Sequence, residues 1–353
     1  MDLVPTAHGE HGNEHRLVLL NSVPFDRVRQ ASGMLPYRAD LLACHGYELA
    51  WHDPGNSRLA ARLESVAVPF RQAWSTRRDR ASARAVLAMF ESEGHGLALT
   101  RVLTRNRRPP LVVVSCWLAD LAVHSSRRRA IYRRLYRAVD GVVVFSENQV
   151  ETLSRLLGIA PERIHFVRFG VDLDALANVT TSEDRAVVAV GRDRARDWRT
   201  LAAAVPGADW AIDVVTRPEQ LAGIDLPPNV RPSPLLPREA YLRLLADAAV
   251  VVVPTDVREY PTGQSVLLEA MALGKACVVT DTPAMREYAI DGETAILVPP
   301  HDHHALRRAI DGLLGDDARR ARIARQAASR ERAHGGARAM WAAVAGVIDD
   351  VSR

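Results

Sequence analysis

Lysine is almost absent from this chain, and cysteine is rare. Lys275 is the only lysine among 353 residues, so arginine supplies the other 45 of the 46 basic residues. The three cysteines, Cys44, Cys116 and Cys277, are far apart and form no Cys-x-x-Cys pair. This spacing argues against a zinc framework and against a small fold held by disulfides. With 48% hydrophobic and 25% charged residues, the composition is that of a soluble globular protein.

Long apolar runs are also lacking. None reaches the roughly 20 residues that a membrane-spanning helix needs. Residues 1–15 are polar and rich in histidine, without the apolar centre of a signal peptide. We therefore expect a disordered tail over residues 1–15 and a cytoplasmic protein. The length predicts two domains, each with its own core.

The formal net charge of +4 does not point to nucleic acid as a partner. The arginines are interleaved with acidic residues, and no known nucleic-acid-binding module is visible. Residues 127–129 are all arginine, and Arg133, Arg134 and Arg137 follow closely. They predict a basic face on the amino-terminal half. This face is either a solvated helix surface or a peripheral contact, with an anionic inner membrane surface or a phosphorylated acceptor.

Strand-like runs alternate with helical stretches along the sequence. Several of these runs are almost continuously apolar, as parallel strands buried on both faces should be. The predicted strands cover residues 17–22, 47–52, 85–91, 111–116, 141–146 and 164–168, then 186–191, 211–216, 249–254, 276–280 and 295–298. The alternation predicts an α/β fold with two doubly wound sheets.

The most informative segment covers residues 259–281. After the predicted strand at 249–254, it holds a glycine turn at Gly263, a helical stretch with Glu269, and a glycine stop at Gly274. Backbone N–H groups converge where a strand end meets the start of a helix, and the helix dipole favours an anion there. A phosphate at this turn, beside a carboxylate that can accept bonds from sugar hydroxyls, predicts a nucleotide-sugar site.

The string Leu267-Leu268-Glu269-Ala270-Met271-Ala272 resembles the signature of the group 1 glycosyltransferases, retaining enzymes of the glycogen-synthase-like superfamily. Residues 169–172 and 292–302 are also similar to that family's pattern. The resemblance implies the GT-B fold, in which two Rossmann-like domains face a cleft. It implies an acceptor-binding domain over residues 16–168 and a nucleotide-sugar-binding domain over 169–335. A last helix, within 336–353, would return to the first domain.

The donor diphosphate needs cations as negative charge grows on it. Arg192 and Arg196 follow a predicted strand and Gly191, and the resemblance implies that such a basic pair clamps the diphosphate and assists catalysis. Arg196 stands one position early, and Asp197 occupies the family's slot. Arginine binds phosphate through two parallel hydrogen bonds. Each arginine could instead be a surface residue paired with Asp193 or Asp197.

The remaining donor-side predictions follow the glycine turn. Three residues would bind the phosphates there, namely Gly263, Gln264 and Ser265. The resemblance implies that Glu269 accepts bonds from the ribose and that a second glutamate stands eight positions earlier, where this chain has Pro261. Glu259 is the nearest acid, and we predict that it takes the catalytic place near the donor sugar. Residues 233–235 would contact the base.

The acceptor side is less defined. The candidate residues lie at or after the carboxyl ends of strands of the first domain: Gly33, Glu91, Glu93, His95, Cys116 and His124. Cys116 stands where the family usually has a histidine. The acids and His95 could equally cap a helix or be solvated, and His124 could be structural.

We therefore predict transfer of a sugar from a nucleoside-diphosphate sugar to an acceptor hydroxyl, with retention of the anomeric configuration. The acceptor would be a small or lipid-linked molecule. We expect no cofactor and no metal, because the sequence shows no metal motif. Two alternatives stay open: a nucleotide-sugar epimerase of the same fold, and a non-catalytic nucleotide-sugar-binding subunit.

Overall fold

The computed structural model describes residues 15–21, 35–52 and 75–353. Gly33 and residues 1–14 of the expected tail lie outside these ranges. Within them, twelve strands form two sheets of six strands each, and every strand pairing is parallel. The predicted α/β class with two doubly wound sheets is confirmed.

The first sheet has the strand order β2-β1-β3-β4-β5-β6. Its strands are β1 (Arg16–Leu20), β2 (Glu48–His52), β3 (Ala85–Ala88), β4 (Leu111–Val114), β5 (Gly141–Val144) and β6 (Ile164–Phe166). The second sheet contains β7 (Arg185–Val190), β8 (Ile212–Val215), β9 (Val230–Ser233), β10 (Ala248–Val253), β11 (Ala276–Thr280) and β12 (Ile296–Val298). Its order is β12-β11-β10-β7-β8-β9.

Helices connect the strands, as parallel pairing requires. In the first half they are α1 (Arg77–Ala81), α2 (Glu91–Thr104), α3 (Leu118–His124), α4 (Ser126–Leu135) and α5 (Glu147–Leu157). The second half holds α6 (Leu173–Leu176), α7 (Trp198–Ala204), α8 (Arg238–Ala246), α9 (Gln264–Ala272), α10 (His303–Leu314), α11 (Asp317–His334) and α12 (Gly336–Ser352). Short 3-10 helices cover Pro36–His45, Tyr136–Ala138, Pro161–Arg163 and Pro218–Gln220.

The core explains why these runs become strands. β10 consists of alanine and valine alone, and all six of its residues are buried. Such strands are stable only where both faces of the sheet are covered. One hydrophobic cluster includes Val112 of β4, Val251 of β10 and Trp341 of α12, so the two sheets share a core.

One strand, β9, was not predicted from the sequence. β9 reads Val-Arg-Pro-Ser, and only Val230 among these residues is buried. Because β9 has no apolar run, the sequence pattern did not predict a strand there. Pro232 has no backbone N–H and so cannot donate a hydrogen bond to a neighbouring strand. The strand forms because it lies at the edge of the second sheet, where a proline is tolerated, and Val230 pairs with Ile212.

Helix α12 lies against the first half of the chain. Trp341 donates its indole N–H to the carbonyl of Tyr37 at 2.7 Å, and Tyr47 donates its hydroxyl to Asp349 at 2.6 Å. Helix α12 begins at Gly336, and a Cβ added to Gly170 would lie 2.1 Å from the carbonyl oxygen of Gly336. Glycine is therefore required where the two segments cross.

Candidate active site

A cavity of about 430 Å³ lies at the carboxyl ends of strands from both sheets. Residues that follow β3, β4 and β5 line one side of it, and residues that follow β7 and β8 line the other. The structure brings seven of the predicted donor-side residues together in its wall: Gly191, Arg192, Arg196, Gly263, Gln264, Ser265 and Glu269. Leu235, from the predicted base-contacting segment, also lines it.

Arg196 is positioned by two strand ends. The backbone N–H of Asp197 donates to the carbonyl of Pro254 at 3.1 Å, just after β10. The N–H of Asp256 donates to the carbonyl of Ala195 at 2.9 Å. These bonds hold the turn after β7 against the end of β10, and so place the Arg196 side chain in the cavity wall.

The Arg196 guanidinium is a buried cation without a full set of partners. The residue is 7% exposed, and within the described part of the chain its Nε and Nη1 atoms have no hydrogen-bond partner. Burial lowers its pKa to about 10, so the group is still positive at neutral pH. Because a desolvated donor without an acceptor is unfavourable, this arrangement favours an anion in the cavity.

Two glycines leave room for this side chain. A Cβ added at Gly191 would lie 2.1 Å from Nε of Arg196, and one at Gly263 would lie 2.5 Å from Nη1. Gly263 also has a φ of 85°, which disfavours other residues. Any larger residue at either position would displace the guanidinium.

Helix α9 begins at the same place. Gly263 precedes its first residue, Gln264, and both line the cavity together with Ser265. The first N–H groups of a helix have no partner within the helix, and its dipole is positive at this end. The start of α9 and the Arg196 guanidinium therefore converge on one electropositive point.

The neighbours of Arg196 have different roles. Arg192 is exposed, and its guanidinium interacts with the hydroxyl of Tyr37 across the cavity. Asp197 caps helix α7 by accepting a hydrogen bond from the N–H of Thr200 at 3.0 Å, and it accepts another from His301 at 2.9 Å. Asp197, which stands where the resemblance places the second basic residue, is thus a helix cap.

Both carboxylate oxygens of Glu269 have partners. Oε1 lies 2.6 Å from a guanidinium nitrogen of Arg238, and Oε2 accepts a hydrogen bond from the hydroxyl of Tyr241 at 2.5 Å. Glu269 is 7% exposed, and burial raises its pKa while Arg238 and Tyr241 oppose the rise. The carboxylate therefore faces the cavity in a fixed orientation, with the half-exposed Arg238 beside it.

The structure does not bring Glu259 into the cavity wall. Its carboxylate accepts a hydrogen bond from the hydroxyl of Thr152 at 2.9 Å and one from the amide of Asn148 at 3.4 Å. Both partners belong to helix α5, so Glu259 ties the loop after β10 to the first half. Tyr260 lines the cavity instead, and its hydroxyl lies 3.1 Å from a carboxylate oxygen of Asp193.

Two family models match consecutive parts of the chain. Residues 94–175 match the model described as Glycosyltransferase Family 4, and residues 173–316 match the one described as Glycosyl transferases group 1. Together they span more than half of the sequence. The chain belongs to the group 1 glycosyltransferases.

One relative is similar to the chain at low identity over a long stretch. A D-inositol 3-phosphate glycosyltransferase from Xylanimonas cellulosilytica is 28% identical over 249 residues, which make up 61% of this chain and 57% of that protein. The chain therefore spans little more than half the length of this relative. The match to it nevertheless points to the same family as the two models.

Solved structures show the same fold. Sucrose-phosphate synthase from Thermosynechococcus elongatus superposes with a TM-score of 0.74 at 17% identity, over 95% of this chain and 98% of that one. The Anabaena protein HepE in complex with UDP and glucose gives 0.68 at 16% identity, over 94% and 99%. The GT-B fold predicted for this group 1 member is confirmed.

On the acceptor side of this family member, Glu91 has a structural position. Its Oε1 accepts hydrogen bonds from the hydroxyl of Ser115 at 2.8 Å and from the N–H of Leu118 at 2.6 Å. It thereby satisfies the start of helix α3, and burial raises its pKa. It is 3% exposed and does not line the cavity.

The other acceptor candidates are dispersed. Glu93 is buried beside Ser92, and His95 stacks on Tyr132 with ring centroids 5.0 Å apart. His124 is exposed and contacts the carbonyl of Asp120. Among the candidates within the described residues, Cys116 alone lines the cavity. Burial raises the pKa of its thiol well above the usual value, so it is neutral.

Most of the basic face lies on helix α4, and Arg137 follows in the 3-10 helix Tyr136–Ala138. Arg127, Arg128, Arg133 and Arg134 are exposed there, and Arg133 also donates to the carbonyl of Leu156 at 3.0 Å. Contact of this face with a membrane stays a prediction. No helix of the described ranges combines the length and the hydropathy that crossing a membrane requires.

The sequence did not indicate the aromatic side of the cavity, nor the two lining residues that contact Glu269, Arg238 and Tyr241. Phe90 and Trp117 stand beside Glu91 and Cys116, which were singled out for their chemistry. Phe90 is near the end of the predicted strand 85–91, and Trp117 directly follows the predicted strand 111–116. These places were the available signal, since residues at strand ends face the crevice of such folds.

Proposed function

We propose that this group 1 glycosyltransferase moves a sugar from a nucleoside-diphosphate sugar to an acceptor hydroxyl, with retention at the anomeric carbon. The buried Arg196 guanidinium, with free Nε and Nη1 donors beside the start of helix α9, supports this proposal most directly. That arrangement suits a diphosphate, because its charge needs donors that are already in place.

The leaving group is the centre of the proposed mechanism. The acceptor oxygen forms a bond to the anomeric carbon while the bond between that carbon and the phosphate oxygen breaks. Negative charge grows on the departing diphosphate, which Arg196 and Arg192 stabilise. The acceptor proton passes to the departing phosphate oxygen. Fixed donors in a buried site need little reorganisation during this step.

Glu269 anchors the nucleoside in this proposal. Its carboxylate accepts bonds from the ribose hydroxyls, for which Arg238 must yield its place at Oε1. Tyr241 keeps Oε2 oriented. Leu235 and its neighbours border the place of the base.

We also propose that transfer is independent of metal, because Arg192 and Arg196 provide the positive charge that a metal ion would otherwise supply. One group of possible metal ligands, Asp197, Asp256 and His301, has its ligand atoms within 4.8 Å of one another. None of the three lines the cavity, and Asp197 already caps a helix. Transfer that survives a chelator would support this part, and transfer lost to a chelator and restored by magnesium would refute it.

Thermal unfolding with a panel of nucleoside diphosphates and their sugars tests the donor site. A ligand at a hundred times its dissociation constant adds about 2.7 kcal/mol to the free energy of unfolding, which is a visible shift in Tm. No shift with any nucleotide, in a folded sample, would contradict the proposal.

Product analysis separates the two alternatives. Nuclear magnetic resonance of a glycosylated product reports the anomeric configuration directly, and an inverted product would refute retention. Release of an altered free nucleotide sugar without acceptor would indicate an epimerase. Binding without transfer or hydrolysis, over a broad acceptor panel, would indicate a non-catalytic subunit.

A further inference from the structure

The two sides of the cavity differ in chemistry. Arg192, Arg196 and Glu269 face it from the second sheet. Among the described residues on the opposite side, the lining is apolar or aromatic and carries no charged side chain. It includes Tyr37, Phe90, Cys116, Trp117 and Phe145. The donor-facing side therefore suits a charged ligand, and the opposite side suits an apolar one.

Three rings on the apolar side contact one another and form an aromatic surface. The ring centroids of Phe90 and Trp117 are 5.3 Å apart, with 34° between the ring planes, and the rings of Tyr37 and Phe90 form an edge-to-face pair with centroids 5.7 Å apart. Trp117 is 42% exposed and Tyr37 is 41% exposed, although both are large aromatic residues beside a cavity. Open aromatic faces of this kind attract planar rings by offset or edge-to-face stacking.

The backbone of Phe90 is strained where it presents its ring. Its φ of 122° and ψ of 167° fall in a region that is almost confined to glycine. Such strain persists only where the surrounding structure enforces it, and it is concentrated at functional sites. This observation is independent of the ring contacts and marks the same place.

Polar acceptors match this surface poorly. Each buried hydroxyl of a sugar or polyol needs a hydrogen-bond partner, and a phosphate needs cations. Arg38, close to Tyr37 in sequence, is already paired with Asp172 at 2.7 Å and with Asp40 at 3.1 Å. Among the described residues of this side, Arg192 reaches only the hydroxyl of Tyr37, at the border with the donor-facing side, and not the faces of Phe90 and Trp117. The neutral thiol of Cys116 behaves as a small apolar group.

We propose that the Phe90–Trp117–Tyr37 surface binds the ring of an aromatic alcohol, and that the acceptor is a phenol or a related hydroxylated aromatic compound. The transfer step rests on the proposed function, whereas binding of the ring does not. In that step the phenolic oxygen forms the bond to the anomeric carbon, the bond to the diphosphate breaks, and the phenolic proton passes to the departing phosphate.

The test is calorimetric titration of the full chain with 4-methylumbelliferone, a planar phenol, and with D-inositol 3-phosphate, a phosphorylated polyol. We expect saturable binding of the phenol to the free protein and no comparable binding of the polyol. Trp117→Ala should weaken phenol binding about tenfold, because it removes an open stacking face. Trp117→Phe should restore most of the affinity.

Leu103→Ala is the matched control, since Leu103 is 73% exposed and lies outside the cavity wall. It should leave phenol binding unchanged. Saturable binding of the polyol without the phenol would overturn the proposal, and so would equal phenol affinity in wild type and Trp117→Ala.

A parallel titration with UDP and other nucleoside diphosphates keeps the two proposals separate. Nucleotide binding without phenol binding would refute the aromatic acceptor and leave the donor site standing. Trp117-dependent phenol binding without nucleotide binding would refute the proposed transferase and leave the aromatic surface standing. Mass spectrometry then shows whether the phenol gains the mass of the donor sugar, as the combined proposals require.

Discussion

The side chain of Arg196 lies directly against the backbone of Gly191: a Cβ at position 191 would be 2.1 Å from Nε. Gly191→Ala must therefore displace the guanidinium. We expect the affinity for nucleoside diphosphates to fall about tenfold or more, since a charge-assisted contact is lost. Calorimetry measures this loss. Gly346→Ala is the control, because a Cβ there meets nothing within 4 Å; equal losses in both variants would contradict the clearance argument.

Removal of the buried cation should separate stability from binding. Arg196→Met replaces a desolvated guanidinium by an apolar side chain of similar length. We expect the free energy of unfolding of the free protein to rise by about 1 kcal/mol or more, because a buried charge without full pairing is unfavourable. Binding of nucleoside diphosphates should be lost. Denaturant titration and calorimetry measure the two effects, and a destabilised variant that still binds would contradict both.

The Glu269 carboxylate should be required for nucleoside binding but not for folding. Glu269→Ala removes the acceptor of Arg238 and Tyr241, and we expect at least about a tenfold loss in affinity for a nucleoside diphosphate. Inorganic pyrophosphate, which has no ribose, should compete equally well in wild type and variant. Glu239→Ala, at an exposed position of helix α8, is the control. Unchanged nucleotide affinity in Glu269→Ala would remove this assignment.

Phe90 allows a comparison of glycine with alanine. Both Phe90→Gly and Phe90→Ala remove the ring, and they differ only in the Cβ. In most contexts alanine is the more stable of the two. Here we expect Phe90→Gly to be more stable by about 1–3 kcal/mol, because its backbone angles are almost confined to glycine. Denaturant titration measures the free energy of unfolding of both variants. A more stable Phe90→Ala would mean that the backbone is not strained.

His95 should make stability depend on pH. Burial lowers its pKa to about 4, whereas an unfolded histidine titrates near 6.5. Between these values the unfolded chain binds more protons, so acidification from pH 6.5 to 4 lowers the free energy of unfolding, by roughly 2 kcal/mol. His95→Phe should lose that share of the dependence.

Denaturant titrations at pH 7 and pH 4.5 measure this effect. Phenylalanine at position 95 keeps the ring contact with Tyr132. His124→Phe, at an exposed side chain, should retain the wild-type difference between the two pH values. A His95→Phe variant with the wild-type pH dependence would show that the histidine is not buried in its neutral form.

Local patterns were enough for most of the fold. Runs such as Ala248–Val253 are continuously apolar, and this pattern repeats with helices between the strands, so the two parallel sheets could be predicted. β9 could not, because an edge strand with Pro232 is defined by its neighbour β8 and not by its own residues.

The sequence by itself determined the glycine turns and the helix that contains Glu269. Turn and helix-start chemistry is local, so a few consecutive residues were enough to predict both. Tertiary structure alone decided that Arg196 is buried between two glycines, that Glu259 contacts helix α5, and that Phe90 and Trp117 form an open aromatic surface. These features depend on how segments that are distant in sequence approach one another. Burial, desolvation and stacking exist only after that approach, which is why no single motif could show them.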